Sequence, residues 1–186
     1  VDAEAACYRF QVGVVAYDKL TGQEKWKTPF LGNRGFNGYI SPSIVKVGQE
    51  DHLVMITASP GRSGSGGKVV GIDPLTGKTL WEYTNFSCWI PVPSAVDAGE
   101  GRILITGAYN AGAAMIKIEK KTDGSYGVTE LYKTVEFGSH TQPPILYNGY
   151  FYVQYTTNER SDGLVCMSMD GKIMWKTGRS PAFSKG

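Results

Sequence analysis

The chain has 186 residues, with 19 Lys and Arg against 17 Asp and Glu and a formal charge of +2, too small a surplus to make an electrostatic footprint for nucleic acid or an anionic membrane. A hydrophobic fraction of 41%, with 12% aromatic and 19% charged residues, is that of a chain with a sizeable core and excludes a disordered or collagen-like one. No apolar run approaches the roughly 18 residues of a membrane helix, and 24 Gly with 9 Pro predict many turns, hence many short strands rather than long helices.

The opening Val1-Asp2-Ala3-Glu4 carries neither a methionine nor the basic and apolar regions of a signal peptide, so a chain processed or truncated at its start is expected. From there a repeat runs through the sequence. Leu20-Thr21-Gly22-Gln23-Glu24-Lys25-Trp26-Lys27-Thr28 recurs as Leu75-Thr76-Gly77-Lys78-Thr79-Leu80-Trp81-Glu82-Tyr83 and as Asp170-Gly171-Lys172-Ile173-Met174-Trp175-Lys176-Thr177. A weaker copy, Val128 to Thr134, puts Tyr132 where the others have tryptophan. These anchors are 55, 51 and 43 residues apart, and a second marker, Pro42, Pro93 and Pro144, keeps intervals of 51 and 51. Two unrelated markers with one period make chance a poor explanation.

Within one period the apolar stretches are Ser43 to Val47, Leu53 to Ala58, Lys68 to Asp73 and Thr79 to Tyr83, each of strand length, rich in Val, Ile and aromatics, and bounded by turn residues. Runs such as Leu53-Val54-Met55-Ile56 and Ile103-Leu104-Ile105 are apolar on both faces, as in a sheet covered on both sides. Four antiparallel strands per unit of about 40 to 50 residues, stacked radially, make an all-β β-propeller. The prolines stand where the first strand of a blade begins and a missing N–H costs the ladder nothing. Asp18 to Gly22 and Asp73 to Gly77 are turns between third and fourth strands, and Asn148-Gly149 is a two-residue hairpin between first and second. Trp26, Trp81, Tyr132 and Trp175 are structural anchors, with the tryptophans expected to be buried at the seams between blades.

In chain order the blades divide as 12–30, a half blade of third and fourth strands; 38–85, 89–135 and 139–179, three whole blades; and 180–186, entry to a next one. About three and a half blades fall short of a closed ring, which needs about four at minimum. A fragment of a longer protein is expected, with closure by other chains as the alternative. The third repeat carries the insertion Lys120 to Gly127, a hairpin expected to project beyond its neighbours.

A short apolar strand, then Asp-x-x-Thr-Gly-x-x-x-Trp, then a strand led by proline, resembles the repeat of the pyrroloquinoline quinone enzymes and of the bacterial outer-membrane assembly lipoprotein that shares their blades. Val15-Ala16-Tyr17-Asp18 to Trp26 and Val70-Gly71-Ile72-Asp73 to Trp81 fit it closely, and the resemblance covers residues 12 to 179. It implies a ring of seven or eight blades and a periplasmic or secreted location. It implies fold more strongly than chemistry.

Strand parity places the second-to-third-strand loops and the blade-to-blade loops at one end, where binding residues concentrate. The candidate ligand-binding residues are therefore Arg34, Phe36, Asn37 and Tyr39 in the first blade-to-blade loop, Trp89 in the second and His140 in the third, Trp89 and His140 being 51 residues apart. Arg34 is a candidate clamp for a carboxylate or phosphate, Trp89 for stacking, and His140 for donating or carrying a proton. Glu159, Arg160 and Asp162 fall at the same end on an outer loop, suited to partner contacts. The segment Gly61 to Lys68 resembles a phosphate loop, but it lacks the first glycine and the following helix and reads as a flexible connector. Asn85-Phe86-Ser87 matches a glycosylation sequon.

Cys7, Cys88 and Cys166 form no Cys-x-x-Cys pair, at least one thiol is unpaired within the chain, and Cys166 reads as a small core residue. Two functions remain. The first is a non-catalytic binding scaffold of a bacterial envelope or secreted context, without cofactor or metal, holding a protein, peptide or glycan on the loop face. The alternative, implied by the resemblance, is an alcohol or sugar dehydrogenase dependent on pyrroloquinoline quinone and calcium, its catalytic residues in blades beyond this chain. Calcium ligation and proton abstraction both need carboxylates, and the inner segments Asn33 to Tyr39, Asn85 to Trp89 and Gly138 to Gln142 hold no Asp or Glu. The adjacent-cysteine disulfide of many alcohol-oxidising members is also missing. The scaffold is therefore preferred, with an anionic or aromatic ligand expected at the loop face.

Overall fold

Short strands separated by Asp, Asn and Gly turns pair most readily with their neighbours in sequence. The computed structural model, which describes residues 2–8, 11–29, 31–32, 39–62 and 66–184, follows that rule throughout. One sheet holds β1 (Asp2–Tyr8), β2 (Gln11–Tyr17) and β3 (Glu24–Lys27); the second β4 (Ser43–Val47), β5 (Glu50–Ile56), β6 (Val69–Ile72) and β7 (Thr79–Tyr83). The third holds β8 (Val96–Gly99), β9 (Arg102–Gly107), β10 (Gly112–Lys120) and β11 (Tyr126–Thr134), and the fourth β12 (Ile145–Tyr147), β13 (Tyr150–Thr156), β14 (Ser161–Ser168) and β15 (Ile173–Lys176). Each sheet is ordered as the chain is and pairs antiparallel. No helix occurs among the described residues, so none there is long and apolar enough to cross a membrane, which says nothing of strands that cross. These are the blades of a partial β-propeller.

The expected half blade is larger than its sequence suggested. Asp2–Tyr8 pairs with β2 from Asp2↔Tyr17 to Tyr8↔Gln11, adding a third strand that Asp-Ala-Glu-Ala-Ala-Cys-Tyr, without a β-branched residue, does not announce. At the other end, 180–184 forms no strand; the Gln154 amide donates to the Ser184 carbonyl, so this tail lies back on β13.

The period-2 alternation of the central strands builds the seams. On β9, Ile103 and Ile105 join a buried cluster with Val54, Ile56, Val70 and Ile72 of the second sheet, while Leu104 joins Phe151, Val153, Val165 and Met167 of the fourth. On β10, Ala114 and Ile116 take the first side, Ala113 and Met115 the second. First strands meet one another, β4 against β8 and β8 against β12, and the Lys46 N–H donates to Asp97 at 2.8 Å.

The anchors differ in what they touch. Trp26 reaches forward: its indole N–H donates to the Pro74 carbonyl at 3.1 Å, and its ring covers Gly77, where a Cβ would come within 2.6 Å of the ring. Tyr132 covers Gly171 in the same way, at 2.8 Å. Trp81 is buried in the cluster shared with Ile103 and Ile105, but its N–H donates at 2.9 Å to His52 Nδ1 of its own sheet, and its ring lies on Gly71, its cross-strand partner. Two anchors correct the expectation of burial: Trp26 is only partly buried, and Trp175 is 46% exposed, because a seam needs the glycine turn of a following blade and 177–184 supplies none. The threonine of the Trp-Lys-Thr copies has its own task. Thr28 and Thr177 hydroxyls accept the N–H of Val14 and Leu164, each at 2.9 Å, tying the end of one strand to its neighbour.

The tip of the long β10–β11 hairpin, 121–125, is exposed, while its base leans on the preceding blade: Lys120 pairs with Glu50 at 2.5 Å, the Tyr126 hydroxyl donates to the same carboxylate, and the Tyr126 ring meets His52 edge-on at 4.6 Å. The contact helps cover the His52 imidazole, whose burial pushes its pKa down.

Candidate binding face

Antiparallel order sends the loops 57–68, 84–95, 108–111, 135–144 and 157–160 to one end of the blades. Buried backbone must find partners, and here the loops supply one another. The Ser59 N–H donates to the Cys88 carbonyl at 2.9 Å, Ala58 and Cys88 form a parallel bridge, and the Cys88 thiol lies 3.9 Å from the Ala108 carbonyl. Phe86 and Phe137 are fully buried beneath. A Cβ on Gly138 would come within 2.8 Å of the Gly107 carbonyl and 2.9 Å of the Tyr155 ring. Cys88 is 2% exposed, and burial pushes its thiol up to about 12, which makes it structural rather than nucleophilic. Cys166, also 2% exposed, is the core residue its sequence suggested.

On this floor the structure brings Trp89 and His140 together through a residue the sequence did not single out. Tyr109 sits between them, its ring meeting Trp89 edge-on at 5.1 Å and His140 edge-on at 5.5 Å, with its hydroxyl 3.3 Å from His140 Nε2. Tyr109 and Asn110 have φ of 56° and 62°, left-handed values that cost a non-glycine residue about 1–2 kcal/mol each. The tight Ala108 to Ala111 turn, closed by a 3.0 Å hydrogen bond, holds them there. Burial, and secondarily the Glu159 charge, raises the Tyr109 pKa, so its hydroxyl stays neutral. Nδ1 of His140 is buried without a hydrogen-bond partner.

Charge reaches the aromatic group from two other loops. The Arg62 guanidinium lies 5.6 Å from the centre of the Trp89 ring and 5.9 Å from that of Tyr109. It pairs with Glu159 at 2.8 Å, the arginine side chain being 62% exposed and the glutamate side chain 19%. The Thr157 hydroxyl, on a residue 7% exposed, donates to Glu159 at 3.1 Å and accepts the N–H of Glu159 and of Arg160, each at 3.1 Å. Beside it, Arg160 and Lys176 both pair with Glu136 and Asp162, and Arg160 lies 5.0 Å from the centre of the Tyr155 ring. The Lys176 hydrogen bond holds the Glu136 carboxyl below its ordinary range.

Tyr39 is 61% exposed in the blade-to-blade loop at this end, while Arg34, Phe36 and Asn37 lie outside the described residues. Arg62, read as part of a connector, is brought to Trp89, and Glu159, assigned to an outer loop away from the centre, is brought to Arg62. The carboxylate that the inner loops lack therefore comes from the loop at 157–160. The parity of its loop was the one available signal for Tyr109, since Ala58 and Arg160 stand one period away; nothing local marks Arg62 and Glu159 as partners across 97 residues.

Among the described residues no three His, Cys, Asp or Glu side chains converge to hold a metal ion. A cleft of about 350 Å³ opens at the opposite end, between the β4–β5 and β6–β7 turns and Tyr126. Its acids are occupied, Glu50 by Lys120 and Tyr126 and Asp73 by the Leu75 N–H and Thr76 hydroxyl of its own turn.

None of the curated proteins compared with the chain matches it. The crystal structure of BamB from Moraxella catarrhalis is similar to 90% of this chain at 13% identity and a TM-score of 0.41, and the match takes in 57% of that structure's own length. The family model described as outer membrane protein assembly factor BamB matches residues 8–177, and on that match this chain belongs to that family of propeller-repeat proteins.

Proposed function

We propose that the chain is part of a non-catalytic binding scaffold of the bacterial envelope, whose loop end holds a protein or peptide segment without a cofactor. The observation that carries this reading is the Trp89–Tyr109–His140 file with Arg62 and Glu159 beside it: half-buried aromatic rings with an exposed arginine over them are the groups that dominate protein recognition. The family description, an outer membrane assembly factor, supports an envelope setting and protein partners. The groups present can stack, donate hydrogen bonds and pair charges, and the one hydroxyl beside an imidazole, that of Tyr109 at His140, is kept neutral by burial.

Selection of random peptides displayed on phage against the purified chain tests the reading. The expected ligands lose binding to Trp89→Ala and Tyr109→Ala and keep it for Leu131→Ala, a surface change on the outer strand of the third sheet. Ligands indifferent to Trp89 would refute the site. Dye reduction by the chain that depends on both pyrroloquinoline quinone and calcium would refute the absence of catalysis.

A further inference from the structure

Arg62 meets three groups at once, two aromatic faces and a carboxylate, which is the arrangement by which proteins capture cationic side chains from a partner. We infer that Trp89, Tyr109 and Glu159 form a receptor for an arginine side chain presented by a partner, and that Arg62 fills this receptor in the free protein. The inference rests on the loop end being the binding face, and it names the chemistry of what binds there.

The two sides of the contact are unequally built. On the receptor side, Glu159 is oriented by Thr157, whose hydroxyl is itself fixed by two backbone N–H groups. Tyr109 is set by its tight turn and by His140, and Trp89 follows the buried, bridged Cys88. On the other side, Arg62 follows Gly61, whose carbonyl accepts the Ser59 hydroxyl at 2.7 Å. A Cβ at Gly61 would touch nothing within 4 Å. The arginine side chain is 62% exposed against 19% for its acid. The group that can leave at least cost is therefore the cation, and what remains is a carboxylate held by Thr157 near two rings, which calls for another cation. Exchange of one guanidinium for another preserves every contact. An ammonium would keep the charge but lack the flat, weakly hydrated guanidinium that suits ring faces and carboxylates, so arginine is favoured over lysine. The opposite exchange, an acidic ligand displacing Glu159 from Arg62, would strand a carboxylate whose side chain is largely shielded from water.

The test uses capped acetyl-Gly-Arg-Gly-amide, with the Lys and Glu versions as controls, on the chain labelled with 5-fluorotryptophan. The Trp89 fluorine resonance is identified by its loss in Trp89→Phe. Removing the internal occupant removes its competition, so Arg62→Ala should bind the arginine peptide about tenfold more tightly than the unaltered chain. Adding Glu159→Gln to Arg62→Ala should reverse that gain. Arg62→Gln, which keeps a hydrogen-bond donor and drops the charge, should behave as Arg62→Ala does and guards against an effect of misfolding. The proposal is overturned if neither Arg62 variant gains affinity for the arginine peptide. It is equally overturned if the Glu peptide, rather than the Arg peptide, shifts the Trp89 resonance of the unaltered chain. Trp89-dependent phage ligands without Arg or Lys would overturn this inference and leave the binding face standing, whereas the absence of any Trp89-dependent ligand would remove both.

Discussion

Replacing Gly77 by alanine isolates what an aromatic anchor contributes across a seam, because the chain contains its own control. Gly22 and Gly77 close the same Asp-x-Leu-Thr-Gly turn with φ of 71° and 74°. An alanine at either position meets the left-handed penalty of about 1–2 kcal/mol. At Gly22 that is the whole cost, since a Cβ there finds nothing within 4 Å. At Gly77 the Cβ would stand 2.6 Å from Trp26 Cε3 and 2.9 Å from Cδ2, so the ring must lift. Lifting it gives up the Nε1 hydrogen bond to Pro74, about 0.5–1.5 kcal/mol, together with the dispersion contacts of the indole face. Gly77→Ala should therefore cost about 2–4 kcal/mol in urea denaturation against about 1–2 for Gly22→Ala. In a Trp26→Ala background the cost of Gly77→Ala should fall to that of Gly22→Ala. Equal costs for the two glycines in the unaltered chain would refute the claim that Trp26 holds the first two sheets together.

Two further outcomes follow from individual side chains. Tyr132 takes the anchor position on Gly171, but its hydroxyl is buried with no partner and burial raises its pKa; Tyr132→Phe should raise stability by about 1 kcal/mol, since it removes a desolvated donor without emptying the seam, and a loss of that size in thermal unfolding would mean the hydroxyl has a partner. Asp18 is held at about 2, below its ordinary 3.8, by the Lys25 hydrogen bond and by the N–H groups of Leu20 and Thr21; its pKa is depressed on folding, so its contribution is complete above about pH 4 and is lost as pH falls through about 2. Asp18→Asn should flatten that limb of the stability profile, and a carboxyl carbon titrating by NMR at the ordinary value would refute the turn geometry.

Much of the fold was legible because a propeller writes each contact several times. The Pro42, Pro93 and Pro144 marker, the Asp-x-x-Thr-Gly turns and the doubly apolar runs of β5 and β9 all encode local pairing, which neighbours in sequence decide. What was missed depends on context. β1 has no β-branched residue, and the ladder of β2 gives it a partner that its own composition does not demand. Trp175 carries the Gly-x-x-x-Trp-Lys-Thr end of the anchor motif and is still half exposed, since burial belongs to the pair of blades and not to the motif. The site divides along the same line. Trp89 and His140 were visible through their common period. Tyr109 was hidden by a four-residue loop, and Arg62 and Glu159 by lying in loops of different blades that only the stacking of sheets brings within 2.8 Å.

The residue across the ladder from each anchor explains why similar motifs end in different contacts. Trp26 faces Ala16, Trp81 faces Gly71 and Trp175 faces Cys166. Where the partner is glycine the indole can lie flat on its own sheet, so close that a Cβ would fall 2.0 Å from the ring, and its N–H then finds His52. Where the partner is alanine that space is filled, the ring turns outward, and its N–H finds the carbonyl of the next turn at Pro74. The third sheet completes the pattern. Its insertion lengthens the β10–β11 hairpin past the place where a glycine turn would receive Trp81, and Tyr126 and Lys120 from that hairpin bind Glu50 instead. A folded-back tryptophan and a long hairpin thus occur at the same seam, and each occupies what the other leaves open: the indole holds His52 from within its sheet, and the hairpin covers the same imidazole from outside.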